Sequence, residues 1–187
     1  MGKIVISENV TLDGVIQDPA GAEGFKHGGW VGRVGDKGRE EAAKLLLDET
    51  LGAEALLWGR RTYEFLAERW PSRSGELADR MNSMPKYVVS STLEDPEWNN
   101  TTVLNGDIVN ELANLRQQLT GEIVIAGSIQ LVRALMEHDL VDELRLMVYQ
   151  SCSGPARAYS ASRATRSRCV SPAPGPSRAT SPTSPTN

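Results

Sequence analysis

Three short stretches of the sequence place glycine, serine or threonine where an apolar strand pattern ends, and the first of them adds two arginines. They are residues 58–64 (W-G-R-R-T-Y-E), 88–93 (V-V-S-S-T-L) and 124–130 (V-I-A-G-S-I-Q). Glycine lets a ligand approach the backbone, arginine is a permanent cation, and the free amides at a helix start bind phosphate. This combination of groups is suited to binding a nucleotide.

Each stretch also has a plainer explanation. Residues 58–64 are equally well a glycine stop followed by two solvated arginines, and residues 124–130 look like many strand-to-helix turns. Residues 88–93 taken alone indicate little more than the end of a strand. The sequence contains no G-x-G-x-x-G, which argues against a standard Rossmann dinucleotide site. Together, however, the three predict a nucleotide groove, because the carboxyl ends of parallel strands share one edge of a sheet.

The elements that would position these groups alternate along the chain. Short apolar runs predict strands at 4–7, 54–58, 86–90, 122–126 and 142–149. Amphipathic patterns predict helices at 39–51, 62–69, 107–119 and 129–137, with Asp107 and Ser128 as N-caps of the last two. Strands alternating with helices indicate an α/β fold with a mostly parallel sheet.

Composition narrows the function classes. The chain has 187 residues and a formal net charge of −4, but all 24 acidic residues and only 15 of the 20 basic ones lie in residues 1–150. An acidic body argues against a nucleic-acid-binding surface. The first apolar run is too short for a signal sequence or a membrane span, so we expect a cytoplasmic protein. Two histidines and two cysteines show no metal-ligand spacing, and we expect no metal.

The composition changes abruptly after Tyr149. Residues 151–187 contain no acidic residue, lysine, leucine, isoleucine, methionine, phenylalanine or tryptophan, whereas six of the ten prolines lie there. Such a segment cannot bury enough apolar surface to offset its ordering entropy. The sequence therefore predicts one domain over 1–150 and a disordered low-complexity tail over 151–187.

Six motifs occur in a fixed order: S-E-N-V-T-L-D-G-V-I, F-K-H-G-G-W, L-L-W-G-R-R-T-Y-E, P-K-Y-V-V-S-S-T-L, I-V-I-A-G-S and L-V-D-E-L-R-L-M-V-Y. Over residues 3–149 the chain thereby resembles the dihydrofolate-reductase-like family, most closely bacterial stand-alone members related to the reductase domain of riboflavin biosynthesis. The resemblance implies a three-layer α/β/α fold whose last strands are missing or replaced by the tail. It also implies an NADPH-dependent reductase that transfers a hydride to a small heterocyclic substrate. The similar enzymes are 5-amino-6-(5-phosphoribosylamino)uracil reductase and dihydrofolate reductase.

The resemblance also implies which residues hold the cofactor. The matching positions are Gly59, Arg60, Thr62, Ser90, Ser91, Gly127, Ser128, Ile129 and Gln130. Arg60 would favour the 2′-phosphate of NADPH over NADH, because guanidinium pairs well with phosphate. Ser90 and Ser91 would lie near the adenosine, and the residues after Gly127 would wrap the pyrophosphate at a helix start.

On the substrate side the resemblance implies that Leu12, Asp13 and Gly14 border the nicotinamide, and that His27 and Trp30 belong to a flap over the site. Asp13, His27 and Trp30 are therefore the catalytic candidates. For His27, an exposed loop histidine is a slightly better explanation than a catalytic role.

A carboxylate on the first long helix would hold a pterin. Glu40 and Glu41 are the candidates, although two acids that open a helix more often match the helix dipole. The substrate is thus left open. The partners implied are a small-molecule substrate and neither nucleic acid nor membrane, and the resemblance is compatible with a homodimer. The alternative function, from another class, is a nucleotide-binding pseudoenzyme or inactive remnant that has lost its C-terminal strands.

The break near Gln150 has a genetic explanation that can be tested. In the resembling family the strand ending in V-Y is followed by a proline and then V-V-L-G-x-G-x-R-L-F, whereas this chain continues Q-S-C-S-G-P-A-R-A-Y-S. Read in a displaced frame, those codons can encode V-L-L-G-S-G-A-R-L-F. We therefore hypothesise a frameshift near codon 150, a natural disordered tail being the alternative. Resequencing should reveal one missing or extra base, and the corrected protein should melt higher and bind NADPH more tightly. A clean reading frame, with lower stability after deletion of 151–187, would contradict the hypothesis.

Overall fold

Strands and helices alternate along the chain in the computed structural model, which describes residues 1–152 and the backbone of 177–182. The strands are β1 (Lys3–Thr11), β2 (Ala53–Gly59), β3 (Lys86–Val89), β4 (Thr101–Leu104), β5 (Glu122–Ala126), β6 (Glu143–Tyr149) and β7 (Ser177–Pro182). The helices are α1 (Asp36–Gly52), α2 (Arg60–Ala67), α3 (Glu76–Ser83), α4 (Ile108–Gln118) and α5 (Ile129–Glu137). Residues 1–152 divide into two compact units: 1–7 with 46–145, and 8–45 with 146–152. We call them the sheet unit and the loop unit.

The strands form one sheet in the order β4-β3-β2-β5-β1-β6-β7. Six of them make the parallel central sheet of a three-layer α/β fold, as the sequence predicted. Ile4 pairs with Ile123 and Leu56 with Val124, so β5 lies between β1 and β2. Because these strands are parallel, β2 and β5 end at the same edge of the sheet, as the groove prediction requires.

Both faces of the sheet are buried, which explains the continuous apolar runs in the sequence. Ile4 and Ile6 of β1 belong to a core that also contains Leu112 of α4 and Leu135 of α5. Val5 points into a second core together with residues of β2, α2 and α3, including Trp58, Tyr63 and Met81. Successive residues of a strand face opposite sides, so a central strand between two helix layers must be apolar throughout.

Two elements have no clear sequence signal. Helix α3 has only eight residues, and β4 only four. The pairing of Lys86 with Thr101 and of Val89 with Leu104 sets the register of β4 against β3. Elements this short depend on tertiary pairing and packing for their stability. Length alone does not explain why they were missed, since α2 and β3 are equally short and were predicted.

A buried ion cluster ties together the amino-terminal ends of the strands in the sheet unit. The guanidinium of Arg145 on β6 makes two bonds to Glu122 on β5, at 2.8 and 2.5 Å. It also contacts Glu143 at 2.6 Å and Glu49 of α1 at 3.3 Å. Lys3 pairs with Glu143 as well. Arg145 and Lys3 together lower the pKa of Glu143 from 4.5 to about 2.

At the far end of the sheet, β7 lies next to β6. A strand over Ser177–Pro182 was not predicted, because no apolar alternation marks it. A strand ladder uses backbone groups that any residue but proline supplies in full, and proline is tolerated at the end of an edge strand. The disorder predicted for the rest of the tail concerns 153–176 and 183–187, which lie outside the described residues. None of the helices in the described part of the chain is both long and apolar enough to cross a membrane.

Candidate functional site

The turns that follow β2 and β5 are joined by two hydrogen bonds in the sheet unit. The backbone N–H of Gly59 donates to Oγ of Ser128 at 3.0 Å. In return, the N–H of Ser128 donates to Oγ1 of Thr62 at 3.1 Å. The structure therefore brings together the G-R-R-T and A-G-S-I-Q segments, and each contributes a hydroxyl to the other's backbone.

The backbone after β5 turns sharply at two consecutive residues. Gly127 has φ +71° and Ser128 has φ 60° and ψ 45°, both in the left-handed region. A Cβ on Gly127 would also stand 3.4 Å from the methyl group of Thr62. Ser128 is the residue before α5, but its side chain does not cap that helix. The predicted Ser128 cap is therefore wrong, because its oxygen accepts from Gly59 instead, whereas Asp107 does cap α4 by accepting from Asn110.

These contacts leave a surface made mainly of hydrogen-bond donors. The hydroxyls of Thr62 and Ser128 each accept a backbone N–H, so each can still donate its own proton. Neither α2 nor α5 has a capping side chain, and the first amides of a helix lack partners within that helix. The positive ends of both helix dipoles coincide with these amides. Such an arrangement suits an anion rich in acceptors, which phosphate is.

The two arginines of α2 extend this positive surface. Nη1 of Arg60 pairs with Oε1 of Glu64 at 3.0 Å, and roughly half of each side chain is exposed. An exposed ion pair of this kind stabilises the protein by only about 0–1 kcal/mol, so Arg60 could leave Glu64 and bind a phosphate with little loss of free energy. Arg61, the next residue, is exposed.

The serines after β3 differ in what they can do. Ser90 is buried, and its Oγ accepts from the N–H of Thr92 at 3.1 Å and of Leu93 at 3.0 Å. Its hydroxyl thus shapes the turn, while Ser91 is exposed at the strand end. The predicted contacts of both serines with the adenosine stay predictions, and Ser91 is the more accessible of the two.

Sequence analysis missed Lys86, which opens β3 at the opposite end of the strand from Ser90 and Ser91. Its side chain is fully buried, and Nζ donates to the carbonyls of Met84 at 2.8 Å and Asn99 at 2.9 Å. It also lies 4.8 Å from the centre of the Trp98 ring. Burial lowers the pKa of Lys86 to about 8. The only signal in the sequence was a lysine opening an otherwise apolar strand.

The three catalytic candidates belong to the loop unit, and the first of them lies on a tight turn after β1. Oγ1 of Thr11 donates to Oδ1 of Asp13 at 2.5 Å, and the N–H of Gly14 donates to the carbonyl of Thr11. Gly14 has φ +80°, a conformation that favours glycine. Asp13 is exposed at the tip, next to Leu12, which is 62% exposed. An acid and a large apolar side chain are thus both presented to solvent.

His27 and Trp30 have different surroundings. His27 is partly exposed, with its ring edge-on to Phe25 at 5.6 Å between centroids. Trp30 is fully buried, donates from Nε1 to the carbonyl of Gln17 at 3.2 Å, and packs against Tyr149. A buried ring must move before it can touch a ligand. Trp30 is therefore a core residue of this unit, and its flap role stays a prediction.

Glu40 and Glu41 do not open a helix as predicted. Helix α1 begins at Asp36, so both acids lie in its second turn. The helix dipole acts on charges in the first turn, so it does not account for acids at these two positions. Glu40 is exposed and Glu41 is partly buried. Among the residues that the structure describes, no group of three His, Cys, Asp or Glu side chains could hold a metal ion.

Comparison with known proteins identifies one matching family and two similar solved structures. The model of the family described as the RibD C-terminal domain matches residues 2–162. The chain is similar to a putative riboflavin biosynthesis protein from Shewanella sp. PV-4, with a TM-score of 0.60 and 19% identity over 80% of this chain and 78% of that one. It is also similar to dihydrofolate reductase from Enterococcus faecalis, solved with NADP(H) and RAB-propyl. There the TM-score is 0.50 and the identity 14%, over 81% and 73% of the two chains. No curated protein matches the chain.

Proposed function

Because this chain belongs to the RibD C-terminal domain family, we propose that it is an NADPH-dependent reductase of a small heterocyclic substrate. Membership in the family supports a reductase-type activity in general terms. We propose NADPH as the cofactor and a small heterocycle as the substrate. Candidate substrates are 5-amino-6-(5-phosphoribosylamino)uracil and dihydrofolate, whose reductases the chain resembles.

The observation that carries the cofactor proposal is the surface at the ends of β2 and β5, which consists mainly of hydrogen-bond donors. A dinucleotide presents phosphate oxygens, which only accept hydrogen bonds, and the hydroxyls of Thr62 and Ser128 have donors left to offer. The amides of Ile129 and Gln130 at the start of α5 would meet the pyrophosphate. Arg60 would neutralise a further phosphate. The residues present therefore fit NADPH, and the structural relative from Enterococcus faecalis binds NADP(H).

NADPH, when bound, supplies the hydride, and the protein needs mainly to align the two reactants and exclude water. The turn of Gly127 and Ser128 would bind and orient the cofactor. Both residues have left-handed backbone conformations, and the hydrogen bond from Ser128 to Thr62 leaves this backbone little freedom. Asp13 and His27, as exposed or partly exposed titratable groups, are the candidates for holding or delivering a proton on the substrate side. The hydride transfer itself requires no acid–base pair of side chains.

Two measurements test the function directly. NADPH should raise the melting temperature of the full-length protein, because a ligand that binds only the folded state stabilises it. Absorbance should then report NADPH oxidation when either candidate substrate is added. Binding without turnover of any candidate would favour the alternative, a nucleotide-binding remnant. No melting shift with NADPH or NADH would contradict both.

A substitution at Thr62 tests the donor argument. Thr62→Val keeps the shape of the side chain but removes both the proton offered to phosphate and the acceptor for Ser128. A hydrogen bond to phosphate is worth at least the roughly 0.5–1.5 kcal/mol of a neutral one, so the Kd for NADPH should rise by at least roughly two- to tenfold. The matched control is Thr102→Val on β4, an exposed position where the Kd should not change. Equal values for the two variants would remove Thr62 from the site.

A further inference from the structure

The segment from Asp18 to Trp30 closes on a single buried carboxylate in the loop unit. Oδ1 of Asp18 accepts from the N–H groups of Ala22 at 2.8 Å and Glu23 at 3.1 Å, and Oδ2 accepts from Phe25 at 3.1 Å. Asp18 is only 2% exposed. Within residues 1–152 it has no ion pair with a cationic side chain, and the hydrogen bonds that its carboxylate accepts there come from backbone amides. They hold the pKa of Asp18 below its usual value against the opposing effect of burial.

The backbone of Asp18 takes part in the same closure. Its carbonyl accepts from the N–H groups of Gly21 at 3.1 Å and Gly29 at 2.9 Å, which joins the start of the segment to its end. A Cβ on Gly28 would lie 2.5 Å from Oδ2 of Asp18. The chain thus returns directly over the carboxylate, and only glycine leaves room for it at this point.

These contacts give the H-G-G-W motif a physical explanation. Gly28 makes room for the carboxylate, Gly29 adopts φ +70° and donates to Asp18, and Trp30 anchors the segment through Gln17. Three of the four residues therefore build the scaffold. The fourth, His27, is partly exposed and lies at a turn in which the N–H of Gly28 donates to the carbonyl of Phe25 at 2.9 Å.

We propose that Asp18 is a positioning residue, whose carboxylate holds the 18–30 segment closed and presents His27 in one orientation before any ligand binds. No residue of the resembling motifs pointed to Asp18, and its role follows from the ring of amides around it. That His27 then meets the substrate rests on the proposed function. The preformed geometry of the segment does not, and its test needs neither cofactor nor substrate.

The two histidines of the chain make the orientation of His27 measurable. In the full-length protein, NMR of the imidazole Cε1–H groups should give one signal for His27, shifted by the ring of Phe25, and one for the exposed His138. Asp18→Asn should move the His27 signal towards that of a free histidine and leave His138 unchanged. The amides of Ala22, Glu23 and Phe25 should exchange faster by about ten- to a hundredfold, since each loses a charged acceptor. The matched control, Glu23→Gln, removes a charge from the same segment and should change neither readout.

A second pair of variants tests the same contact without touching the carboxylate. Gly28→Ala drives a methyl group onto Oδ2 of Asp18, whereas at Gly32 an added Cβ meets nothing within 4 Å. Gly28→Ala should therefore reproduce the effects of Asp18→Asn, and Gly32→Ala should resemble the unchanged protein. An unmoved His27 signal with protected amides in both Asp18→Asn and Gly28→Ala would overturn the proposal. So would a loss of the native His138 signal in both, because Asp18 would then determine the whole fold rather than this segment.

Discussion

Replacing Arg60 by alanine should weaken NADPH binding by about ten- to a hundredfold and change NADH binding much less. The two cofactors differ by one phosphate, and a hydrogen bond to a charged group is worth about 1.5–3 kcal/mol. Arg60 is available for this contact, since its present partner Glu64 is half-exposed and lies on the same helix. Titration of each cofactor, followed by intrinsic tryptophan fluorescence, measures the two constants on one protein.

The neighbouring arginine is a matched control for Arg60. Arg61→Ala removes the same charge from the same end of α2, so a general loss of positive potential would appear equally in both variants. We expect the Arg61 variant to change both constants alike and by less than about threefold. Equal weakening of NADPH and NADH in the Arg60 variant would exclude a contact with the 2′-phosphate. A selective effect in the Arg61 variant instead would transfer the role to that residue.

Replacing Arg145 by methionine should lower the free energy of unfolding by about 3–5 kcal/mol, because a buried ion pair broken on one side leaves uncompensated charge. The side chain of Arg145 is 11% exposed, and those of Glu49 and Glu143 are 10% and 17% exposed. A typical domain has only about 5–15 kcal/mol of net stability, so this loss is large. Urea unfolding measures it. Arg39→Met, which breaks the exposed pair with Asp36, should cost no more than about 1 kcal/mol.

A double variant distinguishes the lost charge pair from lost packing. Glu122 receives two bonds from Arg145, so Glu122→Gln should restore part of the stability of Arg145→Met while destabilising the unchanged protein. If Arg145 acted only by filling space, the two substitutions would be additive. Additive costs would therefore contradict the charge argument.

The same variant should change the response to acid. The folded-state pKa of Glu143 is about 2, against 4.5 for an unperturbed group, so its contribution to stability is present above pH 4.5 and is lost as pH falls towards 2. Arg145 is the main cause of that shift, and Lys3 the next. The stability difference between Arg145→Met and the unchanged protein should therefore be greatest above pH 4.5 and should narrow below it. A difference that is constant down to pH 2 would mean that Glu143 is not coupled to Arg145.

The sequence alone was sufficient for the parallel core. Runs such as I-V-I in β1 and I-V-I-A in β5 are apolar at every position, and a strand covered on both faces requires that. The helices α4 and α5 were equally predictable from the sequence, since their apolar residues recur at helical spacing and Asp107 marks the start of α4. The short α3 and β4 were not, because neighbouring strands and helices, rather than their own residues, stabilise them.

For the candidate site, the sequence by itself determined which residue types meet at the carboxyl edge of the sheet, because strand order along the chain and parallel pairing bring glycines, hydroxyls and arginines there. Only the tertiary structure decided what each of them does. Ser128 accepts from Gly59 instead of capping its helix, Thr62 locks Ser128, and Trp30 fills a core. Hydrogen-bond partners far apart in sequence settle these roles, and residue spacing carries no information about them. Asp18 and Lys86 show a second limit: a buried charge that backbone groups satisfy looks, in the sequence, like any other charged residue in a loop or at a strand start.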